Sequence, residues 1–247
     1  MEAQISEIQK LVFNGKVPLR FVFPSIAAPL CFDANRTISL GYFTYNFLGY
    51  FIEKEENLKD MWFCAEGQPI KWQLPLGVIY DVLRPNVETF SPLTIEVRFD
   101  NFPEGKVLRC DSFQTAIQFF NHTFKESCFL AYGNCNLVQA NTDIHKNIAE
   151  SVVENDYSKF KNLFELHTKE ISSWKMWPIK FLDKEFNVTN SLLTAEDGQT
   201  LKSALEFKGI NAEKVTIHGV NIPLESPLKD LMSIMVYPDG FLYASTN

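Results

Sequence analysis

The spacing of apolar residues changes several times along the chain, and each change marks an element. From Ala3 to Phe13, Ile5, Ile8, Leu11 and Val12 recur every three to four positions and Gly15 closes the run, which predicts a short N-terminal helix. "VPLRFVF" (Val17 to Phe23) is dense in β-formers and ends at Pro24, as a strand would. Leu40 to Leu58 packs aromatics at mixed spacing before turning charged, and reads as a largely buried helix with two glycines in it. "MWFCA" (Met61 to Ala65) and "QPIKWQL" (Gln68 to Leu74) read as a hairpin folded across Glu66-Gly67. Pro75 then opens a two-turn helix whose Leu76, Ile79, Tyr80 and Leu83 form one buried stripe. In "LTIEVRFDNFP" Ile95, Val97 and Phe99 alternate with Glu96 and Arg98, the pattern of a half-exposed strand. The order of these pieces describes an α+β grasp around one helix.

From Cys110 to about Ser172 there is no proline. "DSFQTAIQFFNHTFKESCFLAY", "DIHKNIAESVVEN" and "DYSKFKNLFELHTKEI" each place apolar residues at helical spacing behind acidic or serine caps. After Trp177-Pro178 the strand texture returns, with a helix at "TLKSALEF". The tail also echoes the head. At an offset of 152 residues Gly67 falls on Gly219, Ile70 on Ile222, Pro75 on Pro227 and Leu76 on Leu228, while Phe63 and Ala65 fall on Val215 and Ile217. Turn, proline and helix thus recur in the same order, which makes a duplicated unit the better reading than two unrelated hairpin-helix pieces.

Bulk properties narrow the function classes. The 247 residues can bury a large core without staples. A formal net charge of −7 and a pI near 5.2 argue against nucleic acid as the main partner, since phosphate binding rests on Lys and Arg. Cys31, Cys64, Cys110, Cys128 and Cys135 form no C-x-x-C pair and suit neither a disulfide framework nor a zinc site, so a reducing compartment is expected. The N-terminal stretch has no signal-peptide pattern and no apolar run reaches membrane-spanning length; the expectation is a cytoplasmic protein. The N-x-T triplets at Asn35, Asn121 and Asn187 then read as accidental.

The common enzyme signatures are absent: no G-x-S-x-G, Walker loop, H-E-x-x-H or glycine-rich dinucleotide turn occurs. The expectation is a protein that is not an enzyme and takes no cofactor or metal. Cys128 or Cys135 near His122 or His145 is the one crowded thiol-imidazole candidate, but His122 and Cys128, six residues apart on a helix, do not share a face. His218 reads as an ordinary turn residue, and Trp62 and Trp72 as core or groove residues. Lys125 lies near the end of a predicted helix, exposed. Lys159, Lys161, Lys169, Lys175 and Lys180 enrich one segment in positive charge, which leaves contact with an anionic membrane surface and simple solvation both open.

The blocks "GKVPLRFVF", "MWFCAEGQPIKWQLPLGVIYDVL", "LTIEVRFDNFPEGKVLRC" and "IHGVNIPLESPLKDLMSIMVYPDGFLYAS" resemble, in that order, the autophagy protein five family, from about Gly15 to Ser245. The resemblance implies two ubiquitin-like β-grasp domains flanking a helix-rich domain. Boundaries are expected at 1–15 for the N-terminal helix, 16–107 and 174–247 for the ubiquitin-like domains, and 108–173 for the helical one. It further implies a non-catalytic scaffold that carries the ubiquitin-like autophagy protein twelve and holds the N-terminal helix of autophagy protein sixteen in a groove between the domains. The assembly would promote attachment of autophagy protein eight to phosphatidylethanolamine at the preautophagosomal membrane. The family's acceptor lysine stands in a Lys-Glu pair soon after a Phe, and "FNHTFKES" puts it at Lys125. Attachment through Lys125 and a non-covalent complex both remain open, as does an adaptor that is never modified. The sequence does not identify the groove residues.

Overall fold

A computed structural model describes residues 2–24, 27–42, 60–84, 91–110, 112–136, 143–168 and 171–246. Helix α1 (Glu2–Phe13) precedes a first sheet of β1 (Lys16–Val22), β2 (Leu30–Asn35), β3 (Trp62–Ala65), β4 (Gln68–Ile70) and β5 (Leu93–Arg98), with α2 (Leu76–Leu83) between β4 and β5. Three helices follow: α3 (Phe113–Tyr132), α4 (Ile144–Val153) and α5 (Tyr157–Thr168). The second sheet holds β6 (Ile179–Leu182), β7 (Val188–Asn190), β8 (Val215–Ile217), β9 (Val220–Ile222) and β10 (Leu242–Thr246), with α6 (Leu201–Lys208) before β8 and α7 (Leu228–Ile234) before β10. The residue pattern does not announce β2, because "LCFDAN" carries a charge and a polar residue within six positions and only Ala34 of it is fully buried.

The strand orders are β2-β1-β5-β3-β4 and β7-β6-β10-β8-β9, so one arrangement occurs twice. In each sheet the first and last strands pair in parallel at the centre, β1 with β5 and β6 with β10, and the remaining pairs are antiparallel. The repeat seen in the sequence is a structural one. Phe63 pairs with Ile70 and Ala65 with Gln68 in the first hairpin, Val215 with Ile222 and Ile217 with Val220 in the second, at the same 152-residue offset throughout. Both hairpins close through two residues at positive φ, Glu66 and Gly67 (53° and 77°) and His218 and Gly219 (52° and 80°). That is the backbone of a two-residue turn whose twist matches its strands, and glycine at the second position adopts it without a Cβ clash. Pro75 and Pro227 precede α2 and α7 and bridge Ser39 and Thr200.

The architecture is therefore α+β: two ubiquitin-like lobes with a helical region between them and a helix at the N-terminus. Of the helix expected over 40–58, Leu40 to Tyr42 are helical and the rest lies outside the described residues. Helix α2 departs from expectation. Instead of one stripe, every residue from Leu76 to Val82 is buried. One side of α2 packs on its own sheet through β1, and the other on β8 and β10 of the second lobe. A helix apolar on all sides belongs between two layers. Gly77 lets both sides come close: a Cβ there would lie 2.8 Å from the Arg36 Cβ of its own lobe and 3.0 Å from the Tyr237 hydroxyl of the other. The core is one continuous cluster running through both lobes and the helices, with a small satellite of Trp62, Cys64 and Val107.

Candidate functional site

Helix α3 begins at Ser112, whose side chain accepts the Thr115 amide, and ends at Gly133 in the left-handed conformation (φ 72°). Its inner face buries Ala116, Thr123, Phe124, Ser127, Cys128 and Ala131. Ser127 Oγ donates to the Asp239 carbonyl at 2.9 Å, which ties the helix to the second lobe. Lys125 projects on the opposite side and is exposed. It takes part in no ion pair among the described residues. Glu126 beside it is held elsewhere, by Lys180 Nζ at 3.1 Å, and Lys180 in turn lies 3.6 Å over the Phe241 ring. One turn beyond Lys125, Phe129 is 57% exposed. An amine and an apolar ring thus share one open face of a helix whose other face is fixed in the core.

A second feature lies where α1, α5 and the α7 end of the second lobe converge. Val12 and Phe13 of α1, Phe160 and Phe164 of α5, and Ile234 and Pro238 line a cleft. Its wall is an aromatic ladder: Phe13 stacks on Phe160 at 4.6 Å and Phe160 on Phe164 at 4.9 Å. Polar contacts bolt α1 across the two other helices, Tyr157 Oη donating to Ser6 O at 3.1 Å, Lys161 Nζ to Ser6 Oγ at 2.9 Å and Gln9 Nε2 to Ser233 O at 2.8 Å. The sequence held one hint of this cleft, the i, i+4 pair Phe160 and Phe164; that Phe13 and Ile234 join them is a matter of tertiary packing.

The lobes meet around a buried ion pair. Arg36, in the turn after β2, pairs with Asp81 of α2 and donates to Gly77 O at 3.0 Å. The second oxygen of Asp81 accepts the Gly219 amide of the other lobe at 2.9 Å. Burial pushes the Asp81 carboxyl up, while the guanidinium and the Gly219 amide pull it down. Next to the pair the His218 ring stacks on Tyr237 at 3.9 Å, with Nε2 bonded to Met235 O at 3.0 Å. His218 is a turn residue as expected, yet it is also a buried part of the joint.

The chain matches two family models, "Autophagy protein ATG5, UblA domain" over residues 12–99 and "Autophagy protein ATG5, UblB domain" over residues 150–245. Autophagy protein 5 of Yarrowia lipolytica is 30% identical over 74% of this chain and 82% of its own length. The chain belongs to the autophagy protein 5 family. Autophagy protein 5 of Drosophila melanogaster is 24% identical, over 98% of this chain and 97% of the fly protein. The crystal structure of Kluyveromyces marxianus Atg5 superposes with a TM-score of 0.85 at 20% identity, covering 100% of both chains, and so shares the fold.

Within this member of the autophagy protein 5 family, several residues singled out in the sequence occupy defined places. Trp62 and Trp72 are both buried, at 8% and 4% exposure; Trp72 donates from Nε1 to Leu108 O at 2.8 Å and meets Phe119 edge-on at 5.6 Å. Of the five lysines of the basic segment, Lys169 lies outside the described residues and three of the others are in ion pairs. Lys159 pairs with Glu150 and Glu154, Lys161 with Glu165 and Lys180 with Glu126. Cys128 is fully buried and its thiol is pushed up to about 12, chiefly by burial, which keeps it from serving as a nucleophile near neutral pH. Among the described residues no group of three or more acidic, His or Cys side chains could hold a metal, and no helix is long and apolar enough to cross a membrane.

The joint makes folding pH-dependent. Burial, followed by the Arg36 charge, pushes His218 down from 6.5 to about 3. Between those values the unfolded chain takes up a proton at His218 that the folded chain refuses, so stability falls as pH drops through that window. His218→Asn keeps a residue that tolerates positive φ and removes the titration. From pH 7 to pH 4 the stability gap between native and variant should close by about 3 kcal/mol in urea unfolding. A gap that stays constant with pH would mean that the imidazole is protonated in place.

Proposed function

We propose that this family member is the scaffold subunit of a ligase-type autophagy complex, with Lys125 as the acceptor of a ubiquitin-like modifier, autophagy protein twelve. The observation that carries this is the placement of Lys125: exposed and unpaired among the described residues, on a helix whose far side is locked to the second lobe. The chemistry asked of it is modest. The amine attacks the thioester that joins the modifier's C-terminal glycine to the conjugating enzyme, the cysteine thiolate leaves, the amine loses a proton and an isopeptide bond remains. The conjugating enzyme supplies the base, so the scaffold needs only to present the nucleophile.

The aromatic cleft is the second half of the reading. A partner helix that anchors apolar residues at three-to-four spacing fits a cleft walled by stacked rings, which supports it as the seat of the N-terminal helix of autophagy protein sixteen. With both partners in place the complex promotes transfer of autophagy protein eight to phosphatidylethanolamine, acting in the cytoplasm and at the periphery of the preautophagosomal membrane. The protein itself performs no catalysis in this scheme, and its segments divide at about residues 15, 107 and 173. Protease digestion and mass spectrometry of the complex from its own cells tests the proposal. A branched peptide at Lys125 carrying the modifier's C-terminal residues is expected. An intact complex with no branched peptide would identify an unmodified adaptor instead.

A further inference from the structure

Behind the aromatic cleft, where both lobes and the helical region meet, lies a cavity of about 20 Å³. Thr37 and Pro238 line both spaces, so the cavity sits against the cleft's inner wall. Its lining joins Thr37, Tyr42 and Gln73 of the first lobe, Phe120 of α3, Val152 of α4 and Asp239 of the second lobe. Apolar cavities of this size stay dry, but this one is not apolar. Thr37 Oγ1, Tyr42 Oη and Gln73 Oε1 are buried polar atoms with no hydrogen-bond partner among the described residues. Thr37 and Tyr42 expose only 8% and 5% of their surface. Native proteins rarely leave such groups orphaned, and three of them in the first lobe, with the Tyr237 hydroxyl of the second lobe a fourth on the same lining, call for a shared partner.

We infer that one structural water occupies this junction, hydrogen-bonded to Thr37, Tyr42 and Gln73, and so joins three separate parts of the first lobe where that lobe meets the helical region and the second lobe. The volume suffices, since a water needs about 10–15 Å³ and two to four polar partners. The donor count balances. Water donates to Gln73 Oε1 and to one hydroxyl oxygen, and accepts from the other hydroxyl. Burial, with the Asp239 charge added, pushes the Tyr42 phenol up, so it keeps its proton and has one to donate. No larger ligand fits.

Isosteric variants separate a wet junction from a dry one by the sign of their effect. If water is present, Thr37→Val and Tyr42→Phe each remove a hydrogen bond, and each should lower the urea midpoint of the full chain. The double variant should lower it by less than the two shifts combined, because both hydroxyls share one water. If the junction is dry, deleting an orphaned hydroxyl relieves its desolvation, so a midpoint that stays put or rises in either variant overturns the inference. Crystals of the unmodified protein provide a second test that does not rely on any variant folding. A solvent peak within hydrogen-bond distance of at least two of the three atoms is expected, and its absence at a resolution that shows ordered water elsewhere would refute the site.

Discussion

Asp81→Ala should destabilise the folded chain by about 3–5 kcal/mol, the largest single loss expected from any one side chain outside the apolar core. The reason is what it leaves behind. Arg36 is 8% exposed, and without Asp81 its guanidinium stays charged in a site from which most water is excluded. The Gly219 amide loses its acceptor at the same time, and with it the direct bond from α2 to the second lobe. The effect is not a measure of what the pair contributes, because forming it also cost the desolvation of two charges. Replacing both partners together, as Arg36→Met with Asp81→Leu, should therefore cost much less than Asp81→Ala alone. Asp81→Asn should fall between, since the amide oxygen can still accept from Gly219. Urea unfolding of the three variants orders them. A loss below about 1 kcal/mol for Asp81→Ala would mean that solvent reaches Arg36 once the carboxylate is gone.

The same joint shows where sequence reading works and where it stops. Both hairpins, both proline-led helices and the relation between the two lobes were legible because each rests on local chemistry: two turn residues that accept positive φ, a proline at the helix start and alternation along the strands. Helix α2 was legible as a helix but not as one buried on every side. Its second partner is a sheet more than 130 positions away in the chain, and the period of a helix says which residues can be buried, not what buries them. Neither Asp81 nor Arg36 stood out in the sequence, although together they form the buried ion pair at which the lobes meet. The basic residues between Lys159 and Lys180 left lipid contact and solvation both open, and two of them, Lys159 and Lys180, are paired. Their partners Glu126, Glu150 and Glu154 stand on other turns or helices, so the local charge count overstated the exposed charge. Lys125 came from the family resemblance; spacing alone marks it as one exposed lysine among several. What the structure adds is the contrast with Lys180, which packs against Phe241 and pairs with a glutamate while Lys125 is free of any ion pair among the described residues.

Lys125→Arg should abolish the stable adduct with the modifier altogether, while leaving the fold and the cleft as they are. Arginine keeps the positive charge and most of the aliphatic stem, and at an exposed position on α3 its effect on stability should stay within about 0.5 kcal/mol. What it loses is a nucleophile, since a guanidinium is not deprotonated at any pH at which the thioester survives. The readout is the slow-migrating band on a denaturing gel after the chain is combined with modifier, activating and conjugating enzymes and ATP. That band should be present for the native chain and missing for the variant, with equal urea midpoints for the two. A helical partner captured in the cleft should be retained equally by both, because Lys125 is on α3 and the cleft is built from α1, α5 and the end of α7. If the band persists in the variant, another lysine is the acceptor. Lys180 is a poor substitute, being 12% exposed with its ammonium held by Glu126. A non-covalent complex predicts a third result: no band in either protein, and co-purification of the modifier with both.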